Sequence, residues 1–472
     1  MLRKTIGATA IAAGAAVIGA RVLQRHGEQN ASQHQSETES SYRNARRRIL
    51  ILGAGFGGMT AALEIDRRIG RSPDTSILVV DRFNSTLFTP LLWTVADGRS
   101  NANGVVVPVR SFQRRRSFHI LHADIERIDL DAREVHTGSG VRPYDVLVIA
   151  LGSTTATPDL PGLRELSLPF HTPADALELR NHLIDAVEAA HNEEDPDLSR
   201  EWLTFVVAGG GDTGIELAAT IHGYVTTGLY AEYPWLRDEP LRVVVVGRAD
   251  RLVPMSDERT SSDVRRTLEA EGVEVLTGVS VLGVNDLCVQ TTAGDIPART
   301  LFWAAGITAP DVVHDVQAEH AGNGAIVVDE YLRVKGRPEV YVIGDSAWAS
   351  DPNTGAGVPP TAQAAEHQGR YVGRSVQAAD EGKPIKPFKF SPKGHLALLG
   401  RRTGVARIGP FTVTGLPAWL MWHGYYWSHL PSWRNRIYLA TDWALVALTG
   451  RETGQLRLGR GPADTQADSN TG

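Results

Sequence analysis

The chain of 472 residues holds a single cysteine, Cys288. No disulfide can form within it, and no cysteine pair is available for redox chemistry. Cys288 lies in the strand-like run Leu287-Cys288-Val289, which predicts a buried structural thiol. A strong charge is missing too. The net charge is −6, and no long basic stretch falls on a predicted helix, which argues against nucleic acid as a partner. The histidines are scattered without ligand spacing, so no metal site is expected. The apolar run near the N-terminus, Ile6 to Ala20, is short of the ~20 residues that cross a bilayer. What remains, 42% hydrophobic and 22% charged, is the composition of a folded globular protein. It is too long for one core, so two or three domains are expected.

Residues 1–47 stand apart from the fold. Arg3 and Lys4 precede the apolar run, no acid occurs before Glu28, and Gln24 to Asn44 is polar enough to be disordered. A short membrane anchor, an organellar transit peptide and a secretory signal all fit this pattern. The secretory reading is the weakest, because the rest of the chain needs a soluble nucleotide pool. The anchor is preferred over the transit peptide.

The chemistry starts at Arg48 to Asp81. Ile49 to Leu52 reads as a buried parallel strand, followed by Gly53-x-Gly55-x-x-Gly58, a helical pattern from Met59 to Ile69, and a second apolar run closed by Asp81. That is the context a dinucleotide fingerprint needs. Gly53 permits the tight turn, Gly55 lets backbone approach a pyrophosphate, and Gly58 lets the helix lie close to the strand. The helix N-terminus offers free N–H groups to phosphate, and Asp81 is placed to accept from a ribose hydroxyl. The Pro-punctuated run Phe88 to Trp93 lies against a flat cofactor or fills core. Strands are expected around 120–128 and 142–151, the second ending at Gly152.

A second fingerprint follows the strand 203–208: Gly209-x-Gly211-x-x-Gly214, a helix with Glu216, then the strand 241–246. Two such units imply two dinucleotides, the layout of a flavoprotein that takes hydride from a nicotinamide. Val340 to Asp345 is a strand ending in Gly-Asp, and a carboxylate at that edge of a parallel sheet sits where ligands bind. Thr361 then caps a helix through Val372, whose N-terminus suits a reduced flavin.

With GDSA at 344–347, TAQAAEHQ at 361–368, FTPLLW at 88–93 and KGHLALLGR at 393–401, the chain resembles the type II, single-subunit NADH:quinone oxidoreductases. These belong to the flavoproteins with two dinucleotide-binding domains. The resemblance implies an α/β fold of two Rossmann-like domains, the nicotinamide domain inserted in the FAD domain, plus a C-terminal membrane-associating helical segment. On this chain it implies an FAD domain over 48–165 and 300–382, an NAD(P)H domain over 166–299, a quinone-side and docking region over 383–450, and a disordered tail over 451–472. FAD contacts would be Gly53, Gly55, Phe56, Gly57, Gly58, Asp81, Leu91, Gly152, Gly344, Asp345, Ala362 and Gln363. NADH or NADPH would meet Gly209, Gly211, Asp212, Gly214, Glu216, Arg248 and Gly306. Quinone would lie beside Gln363, Lys393, Gly394 and Leu396. Glu216, Gln363, Lys393 and His395 are the expected catalytic residues. Each also has a plainer reading as a solvated or backbone-bonded helix or loop residue.

Four positions depart from the family pattern. Gly247 and Arg248 stand where an acid usually holds the adenosine 2′-hydroxyl, which leans toward NADPH, with Arg251 as an aid. Asp212 replaces a proline beside the pyrophosphate position and should weaken binding unless it turns away. His367 replaces a glutamine of the quinone signature. His395 replaces a small residue and offers an imidazole as a proton relay.

The segment Gly415 to Leu448 contains Trp419, Trp422, Trp427, Trp433 and Trp443, with Arg434 and Arg436 among them. Its helices suit an anchor lying in a membrane interface; an aromatic packing helix or a homodimer contact is the alternative. The resulting expectation is a peripheral flavoenzyme on the inner (cytoplasmic) membrane, or the mitochondrial inner membrane, passing electrons from NAD(P)H through FAD to quinone. A sulfide:quinone oxidoreductase shares the architecture but needs a cysteine pair. A reductase of a small redox protein and a nicotinamide sensor without turnover remain as alternatives.

Overall fold

The computed structural model describes residues 40–350, 355, 357–392, 394–400, 402–409 and 411–457. β1 (Arg47–Leu52) runs through a glycine turn into α1 (Phe56–Ile69), and β2 (Thr75–Asp81) returns parallel to β1. Ile49 to Leu52 are wholly buried, as an unbroken apolar run covered on both faces requires. β3 (His119–His122) joins β2, and β4 (Val146–Ile149) joins β1. The strands expected around 120–128 and 142–151 each divide in two. Ile125–Asp129 and Gly140–Pro143 leave the parallel sheet and pair with Glu134–Thr137 in a small antiparallel one. The chain re-enters the main sheet at Asp145, whose carboxylate accepts the Arg48 backbone N–H at 2.7 Å and a guanidinium N–H at 3.0 Å.

A second unit follows. It contains β5 (Ser167–Pro169), α2 (Pro173–Asn192) opened by a Thr172–Asp175 capping box, β6 (Thr204–Ala208), α3 (Asp212–Tyr224), β7 (Arg242–Gly247), α4 (Glu258–Ala270), β8 (Val273–Thr277) and β9 (Thr300–Trp303). Its strands form a parallel sheet in the order β5-β9-β6-β7-β8. Cys288, expected buried, is half-buried. It opens the strand Cys288–Thr291, where the pleat gives the inner position to Val289 instead.

The chain then returns to the first sheet. β10 (Arg333–Val334) and β11 (Arg337–Val342) complete the order β10-β11-β4-β1-β2-β3, with β11 parallel to β4. α5 (Ala362–Asp380) is capped by Thr361, whose hydroxyl accepts the Ala364 N–H at 3.2 Å. α5 crosses α1 backbone to backbone: a Cβ on Gly369 would stand 2.5 Å from the Gly57 oxygen, and one on Gly373 2.5 Å from Glu64 Cβ.

The C-terminal part is an antiparallel meander of β12 (His395–Leu398), β13 (Gly404–Ile408) and β14 (Phe411–Thr414), followed by α6 (Leu416–His429) and α7 (Trp433–Thr449). Among the described residues no helix is long and apolar enough to cross a membrane. α6 is partly core: Trp422 is fully buried, its ring centroid 4.9 Å from that of Trp93. α7 is tied down by Asn435, whose amide donates to the carbonyls of Asn103, Gly104 and Val106.

Two stretches read as loose are held in place. Tyr42 is buried and donates to the Pro143 carbonyl at 2.9 Å. Beyond residue 450, Arg451 pairs with buried Asp97, the Glu452 N–H reaches the Gly98 carbonyl, and the Leu456 N–H reaches the Asn181 side chain at 2.9 Å. Polar composition gave no sign of these individual bonds. The expected N-terminal anchor (1–39) and the rest of the tail (458–472) lie outside the described residues.

Candidate active site

The two glycine turns have the same geometry. Gly53 has φ +95°, and a Cβ there would strike the Ala150 oxygen at 2.3 Å; Gly209 has φ +137° and would strike the Ala304 oxygen at 2.5 Å. A Cβ on Gly58 would lie 2.0 Å from the Gly53 oxygen, and one on Gly214 1.9 Å from the Gly209 oxygen, so in both units the third glycine seats the helix against the turn. The middle glycines differ from these. A Cβ on Gly55 or Gly211 would meet nothing within 4 Å. Each is the N-cap of its helix, with no side chain capping the N–H groups behind it. Open backbone at an uncapped helix start is a cradle for phosphate. Gly152, with φ +69° and equally open, extends the first cradle.

Asp81 and Asp345 stand at the strand ends around that first cradle. Asp81 accepts the N–H groups of Ala54 at 2.6 Å and Phe83 at 2.7 Å, so it shapes the turn. Asp345 accepts from the Ser153 hydroxyl at 2.8 Å. Burial raises its carboxyl above the usual range against that bond and a nearby His171. Behind it the side-chain oxygen of Gln368, almost fully buried, accepts the Gly344 N–H at 2.6 Å. Ala362 and Gln363 lie half-buried in the first turn of α5. Two of the expected FAD contacts are packed more tightly than the others. Leu91 has no exposed surface, because the short turn Thr89–Leu91 drives it into the core. Gly57 faces Ile343 and the Ala365 carbonyl at the helix crossing.

On the nicotinamide side, Glu216 lies half-exposed by surface but surrounded by protein, its Oε1 accepting the Leu398 N–H at 3.2 Å. Burial, reinforced by Asp212, pushes its carboxyl up to about 8. Asp212 does turn away from the cradle, but to a side chain and not to cap the helix: its Oδ1 lies 2.6 Å from His395 Nε2. Burial pulls the imidazole down, yet the bond to Asp212 and the charges of Asp212, Glu216 and Asp257 raise it overall. Arg248 is exposed just past β7 and has no ion pair among the described residues; Arg251 is engaged with the Ser256 and Pro254 carbonyls. Gly306, exposed with φ +105°, accepts the Ala156 N–H at its carbonyl.

An aromatic row runs from the first cradle to α6. Phe56, the first residue of α1, has its ring 5.5 Å from Phe88, and Phe88 lies 6.1 Å edge-on from Tyr426 of α6. Burial first, then Glu216, holds the Tyr426 phenol well above its usual range. His367 packs edge-on to Phe390 at 5.7 Å. Lys393 lies outside the described residues.

Residues 47–369 match the model of the pyridine nucleotide-disulphide oxidoreductase family, and 393–452 match the NDH2 C-terminal domain. A type II NADH:quinone oxidoreductase of Mycobacterium tuberculosis is 30% identical over 90% of this chain and 92% of its own. The chain belongs to the type II NADH:quinone oxidoreductase family. Other members similar to it are the demethylphylloquinone reductase of Synechocystis, 27% identical over 85% of this chain and 96% of its own, and the mitochondrial external alternative NADH-ubiquinone oxidoreductase of Yarrowia lipolytica, 26% identical over 86% and 80%. In fold, it is similar to the NDH2 of Plasmodium falciparum solved with NADH, with TM-score 0.77 and 20% identity over 87% of this chain and all of that one.

Two neighbours of the cradles are absent from the sequence reading. Gln368 carries a signal in hindsight: it shares a helical face with buried Ala364 and Ala365 at i−4 and i−3. Tyr426 carries none, since aromatic residues run through its whole segment and nothing local sets it apart.

Proposed function

We propose that this chain is a membrane-bound, non-proton-pumping oxidoreductase. It oxidises a reduced nicotinamide nucleotide and passes two electrons to a quinone, with one proton taken up for each hydride delivered. The observation that carries this reading is the pair of open glycine cradles at Gly55 and Gly211, with the aromatic row Phe56, Phe88 and Tyr426 running from the first to α6. The open backbone at Gly55 and Gly152, with Asp81 and Asp345 at its ends, fits the ribityl and pyrophosphate parts of FAD. When bound there, FAD supplies the redox ring between the two substrates.

The chain's own residues do the rest. Gly211 and the start of α3 hold the nicotinamide nucleotide by its pyrophosphate. Glu216, protonated near neutral pH, donates a hydrogen bond or a proton toward the reacting rings. Gln363, at the start of α5, faces a quinone carbonyl, and the aromatic row excludes water from the path. Relatives are named for ubiquinone and for demethylphylloquinone, which supports quinones as a class. Arg248, exposed where an acid would repel a 2′-phosphate, supports use of NADPH beside NADH.

The molecule sits peripherally on the inner membrane with its nucleotide sites toward the cytoplasm. Leu416, Leu420, Trp433, Ile437, Leu445 and Leu448 expose an apolar face on α6 and α7 that suits this position. Purified FAD-loaded protein given NADH, then a short-chain quinone, tests the reading. Flavin bleaching by NADH and rapid recovery with quinone are expected. Bleaching that quinone leaves unreversed would leave the chain as a reductase of some other acceptor.

A further inference from the structure

α6 has two working faces. Trp422 and Tyr426, one turn apart, point to Trp93 and Phe88 and belong to the core behind the first cradle. Trp419, His423 and Trp427, also spaced by four, form the neighbouring stripe and line a cavity of about 680 Å³ closed by Trp443 of α7. That volume falls within the roughly 300–1,000 Å³ of small-molecule sites.

Its chemistry is lopsided. The walls are aromatic and aliphatic, while Arg99, Arg402 and Arg451 supply three cations and no lining residue is acidic. One carboxylate lies behind the wall: Asp97, fully buried, pairs with Arg99 and Arg451 and offsets one charge of the three. Arg402 is exposed and has no acid partner among the described residues. His423 adds no charge: burial, only partly opposed by the Trp419 carbonyl, pushes its imidazole down to about 4. The fourth wall is Thr227, in the π-helical turn Val225–Leu229, and such turns often mark binding sites.

A cavity with greasy walls and net positive charge selects an anion with an apolar body. Leu420, which lines the cavity, is itself exposed, so the mouth opens beside an apolar surface. We propose that this cavity seats one anionic phospholipid, the acyl part between Trp419, Trp427 and Trp443 and the phosphate at the arginines. The seat couples the C-terminal helices to acidic membrane and fixes α6, which also carries Tyr426. Only the source of the lipid rests on the membrane reading above; the cavity itself is testable without a bilayer.

The test uses full-length, FAD-loaded protein and monomeric short-chain lipids below their micelle concentration, read by tryptophan fluorescence. Dihexanoyl phosphatidylglycerol should bind saturably and dihexanoyl phosphatidylcholine about tenfold more weakly, the scale of one charge-assisted contact. Arg402→Glu, at an exposed position, should abolish that preference, and Ala447→Trp, filling the cavity from the exposed side of α7, should abolish binding of both lipids. Flavin bleaching by NADH should be unchanged in both variants, showing that they fold. Equal binding of the two lipids, or wild-type affinity in both variants, overturns the proposal. So does competition by inorganic phosphate alone at matching concentration, which would make the cavity a simple anion site. Displacement of the lipid by a short-chain quinone would assign the cavity to the electron acceptor, and a monomer–dimer shift produced by either variant would assign it to a second copy of the chain.

Discussion

Glycine and a single carboxyl decide most of what the site can do. A side chain at Gly55 has room to exist, whereas one at Gly58 collides with the Gly53 oxygen. Gly55→Leu should therefore fold with near-native stability yet purify without flavin, its bulk lying where phosphate belongs. Gly58→Ala should lose about 1–3 kcal/mol in a urea titration, since backbone cannot yield cheaply. Glu216 gives a pH signature. Its native carboxyl holds a proton up to about 8 that the unfolded chain releases from 4.5, so its stabilising contribution is complete below 4.5 and disappears as pH rises through 8. His395, raised overall despite burial, adds a loss of the same sign above its unfolded value of 6.5. Thermal unfolding of Glu216→Gln should then fall less steeply between pH 5 and 8 than wild type, by on the order of 3 kcal/mol at the upper end. A variant that tracks wild type throughout would mean Glu216 ionises normally. Arg248→Glu should lower the ratio of NADPH to NADH efficiency about tenfold, and an unmoved ratio would leave the arginine as a solvated surface residue.

Among the elements, the α1–α5 crossing is the most demanding contact. Gly369→Ala must separate helices whose backbones already touch, and should cost about 2–4 kcal/mol by chemical denaturation. Gly322→Ala, with nothing within 4 Å, should stay within about 0.5 kcal/mol of wild type. Which elements could be read beforehand follows from how local their causes are. β1, α1, β2, β6 and α3 announce themselves through apolar runs and glycine spacing inside one short window. Thr361 likewise announces its cap. The division at Asp145 depends on Arg48, far away in sequence, and the tie of Asn435 to residues 103–106 depends on a fold already formed. Asp212 shows the same limit at the site. Its departure from the pyrophosphate was foreseeable as a need, but His395 as the group that draws it away was not, because 183 positions separate them.

For the molecule as a whole, aromatic content in the last segment proved to serve two ends at once. Trp422 is core and Trp433 is exposed, so composition alone could not divide the packing residues from the docking ones. A double replacement, Trp433→Glu with Ile437→Glu, touches only the exposed set. It should release the protein from sedimented phosphatidylcholine vesicles while NADH still bleaches the flavin at the wild-type rate. Retention on vesicles would move the docking surface elsewhere. The ties between distant segments also bear on how the chain is made. β4 waits for β11, almost two hundred residues later, and the surface around Trp93 waits for α6 beyond that. A ribosome therefore releases a half-built sheet and a bare greasy patch long before their partners emerge. A stop placed between α5 and α6 should therefore leave the surface around Trp93 bare and give an aggregating product, which expression of that truncation checks.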